Sequence, residues 1–136
     1  MIGGASDIEL EALTNYGTNL GIAFQITDDI LDVLGADEKL GKRTGSDMRE
    51  RKVTLPFIYA FKNAQKTERV ELRSGFKNQD VEILAGFFEK YKAIEYSFEK
   101  AKRYADMSKE GLKPFKDSES KDALISIADY VVKRSS

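Results

Sequence analysis

The stretch that decides the fold is DIELEALTNYGTNLGIAFQITDDILDVLG, residues 7–35. Its apolar residues recur at intervals near three, four and seven, which is typical of one face of an α-helix and not of a strand. Ser6 precedes the stretch as a candidate N-cap, and Gly35 follows it as a candidate C′ residue. We therefore expect one long helix over residues 7–34.

Beyond this helix, apolar residues continue to recur mostly at helical spacing. It contains only two prolines, Pro56 and Pro114. Thr54 is a candidate N-cap for a helix with Pro56 in its first turn, and Gly111 with Pro114 would close a later helix. Further helices are expected over 68–73, 80–91, 93–112 and 120–133. The sequence predicts an all-α fold, a helical bundle that forms a single unit over 1–136.

The composition removes several classes of chemistry. The 136 residues include no His and no Cys, which excludes a Ser-His-Asp triad, a thiolate nucleophile and the usual structural zinc sites. Oxygen ligands remain, together with Lys and Arg to hold anions. These groups favour a site for Mg²⁺, Ca²⁺ or Mn²⁺.

The charge balance bears on partners and location. Lys plus Arg number 22 and Asp plus Glu number 23, so the net charge is −1 and no broad basic face is available for nucleic acid. No run approaches the roughly 18 apolar residues of a membrane span, and the first residues lack the pattern of a signal peptide. We expect a cytoplasmic protein that binds no nucleic acid and has no membrane span.

Three carboxylates in the first helix are the sharpest chemical feature. Asp28 and Asp32 are one turn apart, and Asp29 is three residues from Asp32, so the spacing predicts that all three converge. Like charges near the negative end of a helix repel, and a bound cation would compensate. Mg²⁺ fits because it takes one or two carboxylates and completes its shell with water and phosphate oxygens. The alternative is an exposed acidic face of an amphipathic helix.

Two further features each allow two interpretations. Gly17 and Gly21 stand one turn apart in the helix, where they indicate either close helix packing or room for a ligand. The polar segment over 35–53 carries cations that would meet a metal-bound anion or belong to a solvated loop. Those cations are Lys39, Lys42, Arg43, Arg49, Arg51 and Lys52.

The run GIAFQITDDILDVLGADEKLGKRTGSDMRERKVTLP, residues 21–56, resembles the second aspartate-rich region of the trans-isoprenyl diphosphate synthases, the polyprenyl synthetase family. The resemblance continues more weakly to a closing helix at residues 128–134. It depends on motif residues that occur in the family's order and spacing. These are Phe24, Gln25, Asp28, Asp29, Asp32, Gly41, Lys42, Gly45, Asp47, Lys52, Leu55 and Pro56.

The resemblance implies an isoprenoid-synthase-type fold and a prenyltransferase that condenses an allylic diphosphate with isopentenyl diphosphate. It implies Asp28, Asp29 and Asp32 as ligands of Mg²⁺. It further implies Lys42 and Lys52 as contacts of the allylic diphosphate and catalytic residues alongside the aspartates. Phe24 and Gln25 would lie beside the substrates.

Length sets this sequence apart from the family. It resembles the C-terminal portion alone, because the family's first aspartate-rich motif has no counterpart in it. We expect a half-site for metal and diphosphate that is inactive by itself, and a homo-oligomer held by apolar surface. Arg134, near the end of the chain, is expected to be an exposed helix-end cation.

Two other functions remain open at this point. A non-catalytic interaction or regulatory module would use Asp28, Asp29 and Asp32 as an acidic surface patch or a weak Ca²⁺ site. A relative of the terpene cyclases would share the aspartate-rich helix, although the arrangement from Gly41 to Lys52 favours a synthase.

Overall fold

The structure, a computed structural model, describes residues 6–37 and 53–135, with the backbone alone at 35–37. This part of the chain contains α-helices and no strand, which confirms the predicted all-α class for it. The helices are α1 (Asp7–Asp37), α2 (Leu55–Asn63), α3 (Lys66–Lys77), α4 (Val81–Lys90), α5 (Ala93–Glu110) and α6 (Glu119–Lys133).

Helix α1 begins where the sequence predicts. The Ser6 hydroxyl accepts the Glu9 amide at 3.1 Å, and the Glu9 carboxylate accepts the Ser6 amide at 3.0 Å, so the two residues form a capping box. The expected end was wrong, since α1 continues past Gly35 to Asp37. A single glycine costs a helix only about 1 kcal/mol, and a long helix tolerates that loss.

The other helix starts follow local capping rules. Thr54 occupies the N-cap position of α2 in an extended conformation with Pro56 in the first turn, but within the described residues its side chain caps no amide. The Asp80 side chain accepts the Ile83 amide at the start of α4. At α6 the cap is Ser118, which accepts the Lys121 amide at 3.1 Å. Helix α3 is longer at both ends than the predicted 68–73.

The described residues group into two compact units. The first takes residues up to Thr27 and from Lys100 onward. Its core contains Ala23, Ala105 and Val131, and the Tyr16 hydroxyl donates to the Leu124 carbonyl at 2.7 Å. Burial raises the pKa of Tyr16.

The second unit spans Asp28–Glu99. Its core is larger, and aromatic rings pack around it, with Tyr59 and Tyr96 stacked at a ring-centroid distance of 3.8 Å. The buried members of this core are Val33, Ala60, Ala64, Leu72, Leu84, Phe88 and Ala93. Both unit boundaries fall inside helices, α1 and α5, so the division does not test the predicted single unit over 1–136. In the described ranges, no helix combines the length and the apolar character needed to cross a membrane.

Candidate functional site

The predicted metal ligands lie on the C-terminal half of α1. At about 100° per residue, Asp32 lies around the helix between Asp28, about 40° away, and Asp29, about 60° away. Asp28 is exposed, whereas Asp29 and Asp32 are 8% and 9% exposed. The helix therefore presents two buried carboxylates and one in solvent. We call Asp28, Asp29 and Asp32 the acidic cluster.

The acidic cluster does not form a preorganised metal-binding site. Among the residues that the structure describes, no three acidic side chains come together as a group that would hold a metal ion. The expected convergence of all three carboxylates is thus not seen, because Asp28 is exposed while Asp29 and Asp32 are buried. Each of the three has an interaction partner in the structure. The donor set still suits Mg²⁺, which needs only one or two carboxylates from a protein when phosphate and water supply the rest.

The position of the acidic cluster changes the electrostatic argument made from the sequence. Because α1 extends to Asp37, the cluster lies before the final turn, and the helix dipole acts mainly within that turn. Repulsion between like charges at i, i+3 and i, i+4 is therefore one unfavourable contribution. Burial of Asp29 and Asp32 adds to it, since removing a carboxylate from water is costly.

The remaining predicted site residues divide between described and undescribed parts of the chain. Phe24 and Gln25 lie on α1 one turn before the acidic cluster, and both are exposed. Gln25 has an interaction partner in the structure. Lys42 and Lys52 lie outside the described residues, as do the other cations predicted for that segment. Their roles stay predictions.

Arg134 is not the exposed helix-end cation that the sequence predicted. It is half-buried, and its Nη2 donates to the Thr27 hydroxyl at 2.7 Å and to the Phe24 carbonyl at 2.9 Å. Its guanidinium lies 4.1 Å from the centroid of the Phe24 ring. The Thr27 hydroxyl itself donates to the Phe24 carbonyl at 3.0 Å. Sequence reasoning missed this contact because more than 100 residues separate its two sides.

An open groove of about 640 Å³ lies beside the N-terminal half of α1. A Cβ atom added to Gly17 or Gly21 would have nothing within 4 Å, so neither glycine is required for packing against another described residue. Close helix packing is therefore not the reason for these glycines among the described residues, and room for a ligand stays a prediction. The groove is lined by Gly17, Leu20, Gly21, Phe24, Ile127, Tyr130, Val131 and Arg134.

A second buried carboxylate lies away from the acidic cluster. Glu68, at 8% exposure, accepts hydrogen bonds from the Lys90 ammonium, the Tyr91 hydroxyl and, at 2.9 Å, the Gln65 amide. The Lys90 bond first and the Tyr91 bond second lower the pKa of Glu68 to about 2. The Glu68 carboxylate in turn raises the pKa of Lys90 and of Tyr91. The sequence analysis predicted neither the cap from Gln65, which is not one of the usual N-cap residues, nor the two donors.

Comparison with known proteins identifies the family. Residues 1–91 match the sequence model of the family described as Polyprenyl synthetase. The chain belongs to the polyprenyl synthetase family. It is 40% identical over 137 residues to the short chain isoprenyl diphosphate synthase of Methanothermobacter thermautotrophicus, an alignment that covers 98% of this chain and 42% of that protein.

Solved structures of similar sequence share the fold. A decaprenyl diphosphate synthase from Rhodobacter capsulatus superposes with a TM-score of 0.89 at 36% identity, over 99% of this chain and 43% of that one. A polyprenyl synthase from Caulobacter crescentus, complexed with calcium and isoprenyl diphosphate, gives 0.83 at 33% identity, over 98% and 42% of the two chains. The chain thus spans less than half the length of these relatives.

Proposed function

We propose that the chain provides the part of a prenyltransferase site that holds a metal-bound diphosphate. The observation that carries the proposal is the acidic cluster, three aspartates within two turns of α1, two of them buried, in a member of the polyprenyl synthetase family. Packing alone does not favour such a set of like charges. The complex of the Caulobacter crescentus relative with calcium and isoprenyl diphosphate supports a divalent metal and a diphosphate as ligands.

The proposed reaction joins an allylic diphosphate to isopentenyl diphosphate. The allylic carbon–oxygen bond breaks, and its electron pair leaves with the diphosphate. The double bond of isopentenyl diphosphate then attacks the carbocation, and loss of a proton gives the longer prenyl diphosphate. Mg²⁺, when bound, would neutralise the negative charge on the departing diphosphate.

The residues of this chain would assist the departure of the diphosphate in distinct ways. Asp28, Asp29 and Asp32 would hold the metal through hard oxygen ligands. Lys42 and Lys52 would donate charge-assisted hydrogen bonds to the diphosphate of the allylic substrate. Phe24 and Gln25 would lie beside the substrates. The groove beside Gly17 and Gly21 has a mostly apolar lining, which is complementary to a prenyl chain.

Calorimetric titration with pyrophosphate tests the half-site. We expect binding by the native chain to require Mg²⁺, and Asp28→Asn to weaken the metal-dependent binding by about 10- to 100-fold. Asp7→Asn is the matched control, because it removes the same charge from the exposed first turn of the same helix. Binding that does not need Mg²⁺, or an Asp28→Asn variant that binds like the control, would contradict the proposal.

We also propose that the 136-residue chain does not carry out the condensation alone. The family's first aspartate-rich motif has no counterpart in the sequence, so only one side of the metal site is available to the diphosphate. The assay supplies an allylic diphosphate and radiolabelled isopentenyl diphosphate, with the Methanothermobacter thermautotrophicus synthase run in parallel. Formation of a longer prenyl diphosphate by the 136-residue chain would contradict this part of the proposal. Self-association of the chain and its cytoplasmic location remain predictions.

A further inference from the structure

The side chain of Arg134 attaches the end of α6 to the turn of α1 that precedes the acidic cluster. One guanidinium nitrogen reaches both the Thr27 hydroxyl and the Phe24 carbonyl, and the guanidinium plane lies over the Phe24 ring. Thr27 is fully buried. The contact consists of two hydrogen bonds and a cation–π interaction, and its Thr27 side is shielded from water.

The Phe24 carbonyl links this contact to the acidic cluster through the helix itself. In an α-helix the carbonyl of residue 24 accepts the amide of residue 28, so Phe24 is the regular acceptor for Asp28. The same oxygen also accepts the Thr27 hydroxyl at 3.0 Å and Arg134 at 2.9 Å. Three donors thus share one carbonyl. The Thr27 hydroxyl and Arg134 thus both act on the backbone oxygen that accepts the Asp28 amide.

We propose that Arg134 is a positioning residue for the acidic cluster. By holding Phe24 and Thr27, it fixes the turn from which Asp28 projects, and so raises the affinity of the acidic cluster for a metal-bound diphosphate. This inference rests on the proposed function. An arginine suits the role and a lysine does not, because only the planar guanidinium stacks on the Phe24 ring while it donates to two oxygens.

A purely structural role would give a different result. If Arg134 only joins α6 to α1, its replacement lowers the melting temperature and leaves pyrophosphate affinity unchanged well below that temperature. If it positions the acidic cluster, the loss appears in the Mg²⁺-dependent part of the affinity. The deciding quantity is therefore the ratio of pyrophosphate affinities with and without Mg²⁺, measured by calorimetry on folded protein.

Two pairs of variants supply matched comparisons. Arg134→Lys keeps the positive charge but loses the planar guanidinium that lies over the Phe24 ring. Arg103→Lys makes the same change at an exposed position of α5. Thr27→Val removes the buried hydroxyl. Its control is Thr14→Val, which removes another back-bonding hydroxyl on α1, the one that donates to the Leu10 carbonyl at 2.9 Å.

We expect Arg134→Lys and Thr27→Val each to reduce the Mg²⁺-dependent enhancement by about 2- to 30-fold. The double variant should lose less than the product of the two, since both residues act through one contact. Each control should match the native chain. An Arg134→Lys variant that remains folded and keeps the native enhancement would overturn the proposal.

Hydrogen exchange at the Asp28 amide separates this proposal from the proposed function. We expect faster exchange in Arg134→Lys than in Arg103→Lys, because the acceptor of that amide is no longer held. If the native chain shows no Mg²⁺-dependent binding, the proposed function fails, and positioning of a metal site by Arg134 fails with it. Faster exchange in Arg134→Lys would then show only that Arg134 anchors this part of α1. If the native chain does bind, unchanged exchange at the Asp28 amide would overturn the proposal that Arg134 acts on Asp28 through the Phe24 carbonyl.

Discussion

The segment of α1 from Gly17 to Asp32 and helix α3 both combine glycine inside a helix with buried carboxylate. The α1 segment has two glycines and two buried aspartates, and α3 has Gly75 and Glu68. In α3 the packing explains both. A Cβ on Gly75 would lie 3.1 Å from Ile83 Cγ2, and Glu68 is neutralised by Lys90 and Tyr91. These residues serve the stability of the fold.

In α1 the described residues do not account for the glycines in this way. No described atom would lie within 4 Å of a Cβ on Gly17 or Gly21, and Asp29 and Asp32 lie buried three residues apart, each with an interaction partner. Natural sequences break local rules of propensity and charge mainly where function requires it. Under the proposed function the acidic cluster is that place in α1, whereas Gly75 and Glu68 serve folding in α3. Open space beside a glycine does not by itself mark a ligand site, because a Cβ on Gly86 of α4 would also have no described atom within 4 Å.

The test with the largest expected effect replaces one buried carboxylate in each region by its amide. We expect Asp32→Asn to weaken Mg²⁺-dependent pyrophosphate binding by about 10- to 100-fold, because it removes the negative charge of one of the two buried aspartates that we propose as metal ligands. Glu68→Gln should leave that affinity unchanged. Calorimetric titration of both variants measures the effect. Equal losses of affinity in the two variants would mean that both carboxylates act only through the stability of the fold.

Glu68→Gln should instead lower the melting temperature, because the charge-assisted bonds from Lys90 and Tyr91 are lost. The pKa of Glu68 is lowered from 4.5 to about 2, so its contribution to stability is complete above about pH 4.5 and disappears as the pH falls toward about 2. The difference between native and variant chains should therefore be largest near neutral pH and should shrink on acidification.

Urea unfolding of the two chains at about pH 7 and about pH 3 measures that difference. Glu99→Gln, at an exposed position of α5, is the control for loss of a carboxylate as such. If the difference between native and Glu68→Gln stayed constant over this range, a cause other than the charge of Glu68 would have to explain the loss of stability.

Whether the sequence predicts a structural feature depends on how far apart along the chain the residues that determine it lie. The Ser6 cap and the start and length of α1 follow from neighbours in sequence, and they were predicted nearly in full. The spacing of the acidic cluster was also readable. Its division into one exposed and two buried carboxylates was not, because tertiary packing decides which face of α1 is covered.

The contact of Arg134 with Thr27 lay beyond sequence reasoning for the same reason. Its two sides come from opposite ends of the chain, and no local pattern marks them as partners. Glu68 is an intermediate case, in which the cap to Gln65 is local and the bonds from Lys90 and Tyr91 are not. The resemblance to the polyprenyl synthetases supplied the family, but not these contacts.

The smallest expected effect separates the glycines of the two regions. Gly17→Ala should raise the free energy of unfolding by about 0.5–1 kcal/mol, since alanine favours a helix and its methyl group meets no atom within 4 Å. Gly75→Ala gains the same propensity, but Ile83 must shift by a few tenths of an ångström, so its net effect should be smaller or destabilising. Urea unfolding of both variants measures the difference. A destabilised Gly17→Ala chain would mean that another surface covers the groove in solution, and the contrast between α1 and α3 would then no longer extend to the glycines.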